Sequence, residues 1–346
     1  MSQIEKEYIE TDPHEQAQYL WSSLFHFLAK ETIDRHGEEG ERVVRQAVRD
    51  YGTARGRRMR QTADAEGRPA TLETLFSSND LPGDGRFARL ADAVLTPEVK
   101  RSCTTRCPNA EIWAQLGAQR YGEIYCEEVH HAIYMGFDPA VQVNLSETLT
   151  NGGQGCRFAV YLRKSNQRPY DLPPRPVHSW DDDGGDPVAK NISCFNILYS
   201  HMGRAILSAF GEETLRAGVR AFGRKRGERM KEMHRRMGLP NNLKTLFSHG
   251  DLPADPRAKR TLIKLDEHER SSQTHRCQYY EIWRDYDALD AGRIYCEEVH
   301  HAMWQAYNSD IEVNLPRTIA HGHPFCEFRV LLSENTHGGG ERPAAS

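Results

Sequence analysis

Tyr125-Cys-Glu-Glu-Val-His-His-Ala132 recurs unchanged as Tyr295-Cys-Glu-Glu-Val-His-His-Ala302, 170 positions later. An eight-residue identity at a fixed offset is the mark of a duplicated unit, and finding it first decides the fold. The same offset carries Arg106-Cys107 onto Arg276-Cys277, Glu111-Ile-Trp113 onto Glu281-Ile-Trp283, and Val143-Asn-Leu145 onto Val313-Asn-Leu315. It also carries Cys156 and Phe158 onto Cys326 and Phe328. Upstream the offset becomes 171, so that Leu75-Phe-Ser77 meets Leu246-Phe-Ser248 and Asp80-Leu-Pro82 meets Asp251-Leu-Pro253.

The two copies divide the chain into a first repeat at 1–163, a linker at 164–190, a second repeat at 191–335 and a disordered tail at 336–346. The linker reading rests on Pro169, Pro173, Pro174, Pro176, three successive Asp and Gly184-Gly185, a composition poor in core residues. Two copies on one chain predict an intrachain pseudo-dimer about an approximate two-fold axis, which can assemble further as a homo-oligomer.

Within a copy, apolar residues at helical spacing predict helices over 16–36 and 38–62, from Leu20, Leu24, Phe27 and Leu28, then Val44, Ala47, Val48 and Tyr51. The second copy repeats this over 195–233. A Thr/Cys-rich strand at 99–107, a short helix at 110–116 and a longer one at 121–135 follow. Alternation over 141–149, the turn Asn151-Gly-Gly-Gln-Gly155 and a segment at 156–162 then predict a hairpin. Each copy is therefore α+β, a helical segment followed by a small antiparallel sheet.

The duplicated octapeptide lies on the longer helix, with Tyr125, Val129, Ala132 and Ile133 on its buried stripe. Around that stripe, Glu127 precedes His130 by three residues and His131 by four, Glu128 precedes His131 by three, and Cys126 lies one turn from His130. Cys296, Glu297, Glu298, His300 and His301 repeat the pattern.

Three chemistries fit. His131 and His301, or their neighbours His130 and His300, serve as general bases oriented by the glutamates. Alternatively Cys126 and Cys296 act as nucleophiles. In the third reading a divalent metal such as zinc is held by a set drawn from Cys107, Cys126 and Cys156, with Cys277, Cys296 and Cys326 in the other copy, although no pair has knuckle spacing. The blander account has surface Glu–His pairs and thiols packed as small hydrophobes. Arg106 and Arg276 are candidate carboxylate clamps, with ion pairs to Glu111 and Glu281 as the plainer reading, and Asn144 and Asn314 are candidate amide contacts to substrate. Trp113 and Trp283 are read as packing, and His321 and His323, which face Asn151 and Gly153 in the first copy, are set aside.

The chain has 346 residues with 45 Lys+Arg against 49 Asp+Glu, a net charge of −4 that offers no basic surplus for a nucleic-acid partner. No stretch approaches the roughly 18 apolar residues of a spanning helix, and the first residues lack a signal-peptide pattern. With eight cysteines read as thiols or ligands rather than disulfides, the expectation is a cytoplasmic protein with a small-molecule substrate.

Taken in order, Thr105-Arg-Cys-Pro108, Glu111-Ile-Trp113, Gly122-Glu-Ile-Tyr-Cys-Glu-Glu128, Gly136-Phe-Asp-Pro139, Val143-Asn-Leu145, Thr148-Leu-Thr-Asn-Gly152 and Cys156-Arg-Phe158 resemble the L-2-amino-thiazoline-4-carboxylic acid hydrolase family. The resemblance covers most of each copy and implies a hydrolase that opens a small cyclic amidine by adding water. The chain departs from the pattern at Val129 and Val299, where many relatives carry Asp, in the adjoining His-His pair and in being duplicated. The Gly-rich turn and Cys-x-Phe strand are also similar to vinyl reductase-like domains, which implies a non-enzymatic small-molecule module, with zinc in some members.

Overall fold

Two amphipathic stretches separated by one glycine open the first copy. A computed structural model describes residues 13–333 apart from 79, 82–84, 183 and 253. The expectations for the first residues and for the tail at 336–346 lie outside the described residues. Helix α1 (Pro13–Ala65) buries Leu20, Leu24, Phe25 and Leu28 before Gly37, and Val44, Ala47, Val48 and Tyr51 after it. Gly37 breaks the helix with φ 56°, a left-handed conformation that glycine adopts without a Cβ penalty. In the second copy Gly211, at φ 76°, separates α5 (Pro187–Phe210) from α6 (Glu212–Arg236).

The first copy continues through α2 (Leu72–Ser77), short strands β1 (Ala88–Arg89) and β2 (Val94–Leu95), β3 (Val99–Arg106), α3 (Pro108–Gln115), α4 (Gln119–Phe137), β4 (Gln142–Glu147) and β5 (Cys156–Tyr161). The second continues through α7 (Leu243–Ser248), β6 (Lys259–Leu265), β7 (Glu269–Arg276), α8 (Gln278–Asp285), α9 (Leu289–Tyr307), β8 (Ile311–Arg317) and β9 (Cys326–Leu332). Both sheets are antiparallel, in the orders β1-β3-β5-β4, with β2 also on β3, and β6-β7-β9-β8. The anticipated hairpin is β4–β5, and matched registers place Thr104 opposite Cys156 and Thr274 opposite Cys326. Each copy is thus α+β as read from the sequence, with Trp113 and Trp283 fully buried between helices.

The copies embrace through their first two helices. His36 stacks on Phe210 at 3.8 Å and its Nε2 lies 2.9 Å from Thr214 Oγ1, while Arg229 stands over the Tyr19 ring at 4.1 Å. On the opposite side, Tyr51 meets His201 with ring centroids 6.3 Å apart. The first helix of each copy therefore lies on the second helix of the other, the reciprocal contact of a pseudo-dimer.

The segment between the copies is packed, which its composition did not lead us to expect. Trp180 is 1% exposed, its Nε1 donates to Asp285 at 2.9 Å, and the Tyr170 hydroxyl donates to Gly136 O at 3.0 Å. A single aromatic anchor and side-chain bonds to both repeats fix a stretch whose prolines leave little entropy to lose. Its last residues are helix: Asp186 caps α5 by accepting from the Val188 and Ala189 amides, and Pro187 takes the first helical position.

Candidate functional site

The octapeptides sit on α4 and α9. Helix α4 runs without proline until Asp138, whose extended backbone (φ −151°) is the conformation demanded by the following Pro139. Its buried stripe is the anticipated one, with Tyr125, Val129, Ala132 and Ile133 each at most 9% exposed. Tyr125 closes an aromatic cluster with Trp21 at 4.9 Å, Phe25 at 5.1 Å and Trp113 at 5.6 Å, and Tyr295 does the same with Tyr199 at 5.0 Å and Trp283 at 5.5 Å.

The carboxylates turn away from the imidazoles. Arg45 reaches Glu127 at 2.7 Å and Glu128 at 2.9 Å, and Arg49 adds a second bond to Glu128 at 2.9 Å. In the other copy Arg216 reaches Glu297 at 2.7 Å and Glu298 at 2.8 Å, with Arg220 on Glu298 at 3.0 Å. Burial pushes the Glu128 and Glu298 carboxyls up, and the paired guanidinium groups outweigh it, leaving both below the ordinary value. The expected Glu–His orientation is therefore replaced, because a fixed fork of guanidinium donors pairs with a carboxylate better than a neutral ring does. These four arginines went unread in the sequence, although the offset of 171 carries Arg45 and Arg49 onto Arg216 and Arg220. His321, set aside in the sequence, lies 3.0 Å from Glu297.

The four imidazoles have three different surroundings. His130 and His300 face the sheets, edge-on to Phe158 at 5.0 Å and Phe328 at 5.2 Å. Burial, with neighbouring cations, pushes each down to about 3, so both rings are neutral. The foremost of those cations are Lys100 at His130, itself held down to about 8 by burial, and at His300 Arg226, followed by Arg270, which lies 4.2 Å over Phe247. His301 has Nδ1 2.9 Å from Glu297 O and Nε2 3.2 Å from Val313 O, so both nitrogens meet carbonyls. His131 has one such contact: its Nδ1 donates to Glu127 O at 3.0 Å. That bond fixes the tautomer and leaves Nε2 as the acceptor.

The thiols converge by threes. Cys107 is the N-cap residue of α3 directly after β3, Cys126 lies on α4 and Cys156 opens β5; Cys156 raises the pKa of the other two, and Cys107 that of Cys126. Burial pushes Cys107 up to about 11 and Cys126 well above its ordinary value, against a hydrogen bond from the Thr150 hydroxyl to Cys126. Cys277, Cys296 and Cys326 are raised for the same reason, and Ala320 stands where Thr150 is. Backbone amides of Leu149 and Ile319 donate to the Cys156 and Cys326 sulfurs at 3.4 and 3.2 Å. Buried, protonated thiols are poor nucleophiles. Among the described residues no group of three or more His, Cys, Asp or Glu is placed to hold a metal ion.

The remaining candidates stand apart from the helix motif. Arg106 pairs with Glu111 at 2.6 Å and Arg276 with Glu281 at 2.8 Å, the plainer of the two readings. Asn144 and Asn314 are exposed, because residues alternate along β4 and β8 and theirs is the outward face.

A family model described as L-2-amino-thiazoline-4-carboxylic acid hydrolase matches residues 15–160 and again 190–330. The chain belongs to this family. As an L-2-amino-thiazoline-4-carboxylic acid hydrolase family member it carries two tandem copies of the family unit, as the sequence resemblance implied. No curated protein and no solved structure matches the chain. Among the described residues no helix of this family member is long and apolar enough to cross a membrane.

Proposed function

We propose that this family member is a hydrolase that adds water to a small cyclic amidine or amide-like carboxylic acid, with His131 of the first copy as its base. The family description supports the reaction class. The residue assignment is carried by one observation: of the two matched imidazoles, His131 keeps an accepting Nε2 while His301 spends both nitrogens on backbone carbonyls. Nε2 takes a proton from water as its oxygen bonds to the amidine carbon. The ring bond from that carbon to its heteroatom then breaks, and the leaving heteroatom takes the proton back. Arg45 and the two glutamates border the ring and hold the helix face that carries it.

The test is turnover of L-2-amino-thiazoline-4-carboxylic acid by the purified full chain. His131→Gln is expected to lower kcat about a hundredfold, the typical worth of a general base. His301→Gln is expected to leave kcat within about threefold. Equal losses in the two variants, or none in either, would remove His131 from the reaction, and absence of turnover by the unaltered chain would remove this substrate.

A further inference from the structure

One cleft in the molecule is built from both copies and from the segment that joins them. It encloses about 380 Å³ between the last turns of α1, the segment after β5 and the start of α5, with Arg58, Asp80, Arg175, Asp181, Lys190 and Ser193 on its walls. None of the octapeptide residues lines it.

Among the described residues that line it, the cations Arg58, Arg68, Arg175 and Lys190 outnumber the carboxylates of Glu66, Asp80 and Asp181, and Arg68 is paired with Glu66. Arg58 and Arg175 converge on the single carboxylate of Asp181, and Arg58 lies flat against Trp180 at 4.5 Å. Asp80 is already taken by Arg55, which reaches it from behind the wall at 2.5 and 2.7 Å. Arg175 Nε is buried without a hydrogen-bond partner, and Lys190 makes no ion pair among the described residues. Burial and the adjoining Arg58 both push the Arg175 pKa down, which is the cost of holding this cation with too little negative charge around it.

At the matched place in the second copy a ring stands over the arginine, and the two registers explain why. Arg58 corresponds to Arg229 at the offset of 171. The first helices are offset by 174, since Trp21 and Phe195 meet the matched Tyr125 and Tyr295, and Gly37 and Gly211 mark the same break. At that offset Ser193 corresponds to Tyr19, and the Tyr19 ring covers the Arg229 guanidinium at 4.1 Å. A phenol thus fills in one half the place that a serine leaves open in the other.

We propose that this cleft is a binding site for a small molecule bearing an oxyanion, a carboxylate or a phosphate, one per chain, seated by Arg58, Arg175 and Lys190. An anion there supplies the missing countercharge, and planar guanidinium groups offer it paired donors. The site goes beyond the hydrolase reading and stands whether or not His131 is the base.

Isothermal titration of the full chain with malonate and with inorganic phosphate, in a low-salt chloride buffer, tests it. One anion per chain is expected to bind saturably. Arg175→Gln and Lys190→Gln are each expected to weaken that binding at least tenfold while leaving the melting temperature of the unliganded protein unchanged. Ser193→Tyr, which copies the filled half, is expected to abolish it, and the two polar variants carry the test if that larger side chain prevents folding. Binding of malonate alone identifies a carboxylate ligand, and binding of phosphate alone a phosphorylated one. No saturable binding of either anion at millimolar concentration, two anions per chain, or affinities untouched by Arg175→Gln and Lys190→Gln would overturn the proposal.

Discussion

Gly56→Ala and Gly227→Ala are each expected to destabilise the chain by about 3 kcal/mol, at the upper end of overpacking penalties. A Cβ at Gly56 would stand 2.0 Å from Ile133 O and 2.8 Å from Phe137 N, and one at Gly227 would stand 2.0 Å from Met303 O and 2.9 Å from Tyr307 N. Those are backbone atoms of α4 and α9, which cannot turn aside as a side chain would, so the helices must separate. Separation would also loosen Gly52 from Ala132 and Gly223 from Ala302, whose added Cβ contacts are 2.7 and 3.0 Å. Helix propensity alone points the other way, since Gly→Ala in a helix interior gains up to about 1 kcal/mol. The sign therefore decides between the two effects. Urea unfolding of each variant beside Gly250→Ala, where the nearest added contact is 3.9 Å and little change is expected, is the measurement. A Gly56 or Gly227 variant as stable as the unaltered chain would mean that α1 and α6 do not approach the octapeptide helices this closely.

That close approach explains why the octapeptide is identical in both copies. Tyr125 and Tyr295 complete aromatic clusters, Val129 and Ala132 meet the glycines of α1, and the glutamates hold paired arginines. Most of this architecture was legible because it is local or repeated: the helix stripes, the break at Gly37 and the hairpin turn are written in neighbouring residues. The partners of Glu127 and Glu128 were not, because Arg45 lies 82 residues before Glu127 and competes for it with imidazoles three and four residues away. Spacing on one helix reveals which side chains can meet; it does not reveal what a second helix brings to the same face. The glycines at 52, 56, 223 and 227 carried that information, since pairs spaced by four mark a face meant for another backbone. Trp180 was hidden for the opposite reason, as one anchor in a polar, proline-rich stretch leaves no periodic pattern to read.

Between pH 7 and pH 5 the folded chain is expected to lose on the order of 7 kcal/mol of stability, about 2 for each of four buried imidazoles. Burial pushes His130 and His300 down to about 3, and His26 and His201 down to about 4. Nearby charges modify this: Lys100 adds to the depression at His130 and Lys30 at His26, while Asp34 and Asp50 oppose it at His26 and His201. In the unfolded chain the same rings titrate near 6.5. From about 6.5 down to the folded values, the unfolded state holds protons that the folded state refuses, so stability is lost as pH falls through that window and is level above it. Carboxylates held down by arginine, such as Glu128 and Glu298, act in the same sense only once the pH approaches their ordinary range near 4, which leaves the interval from 6.5 to 5 to the histidines. Thermal melts across this interval are expected to fall by roughly 8 °C or more. His300→Phe, which keeps a ring against Phe328 and removes the titrating group, is expected to flatten the slope by that residue's share. A melting temperature that stays level from pH 7 to pH 5 would show that these rings accept protons in the folded chain, and the faces of α4 and α9 that cover the sheets would then be open to water.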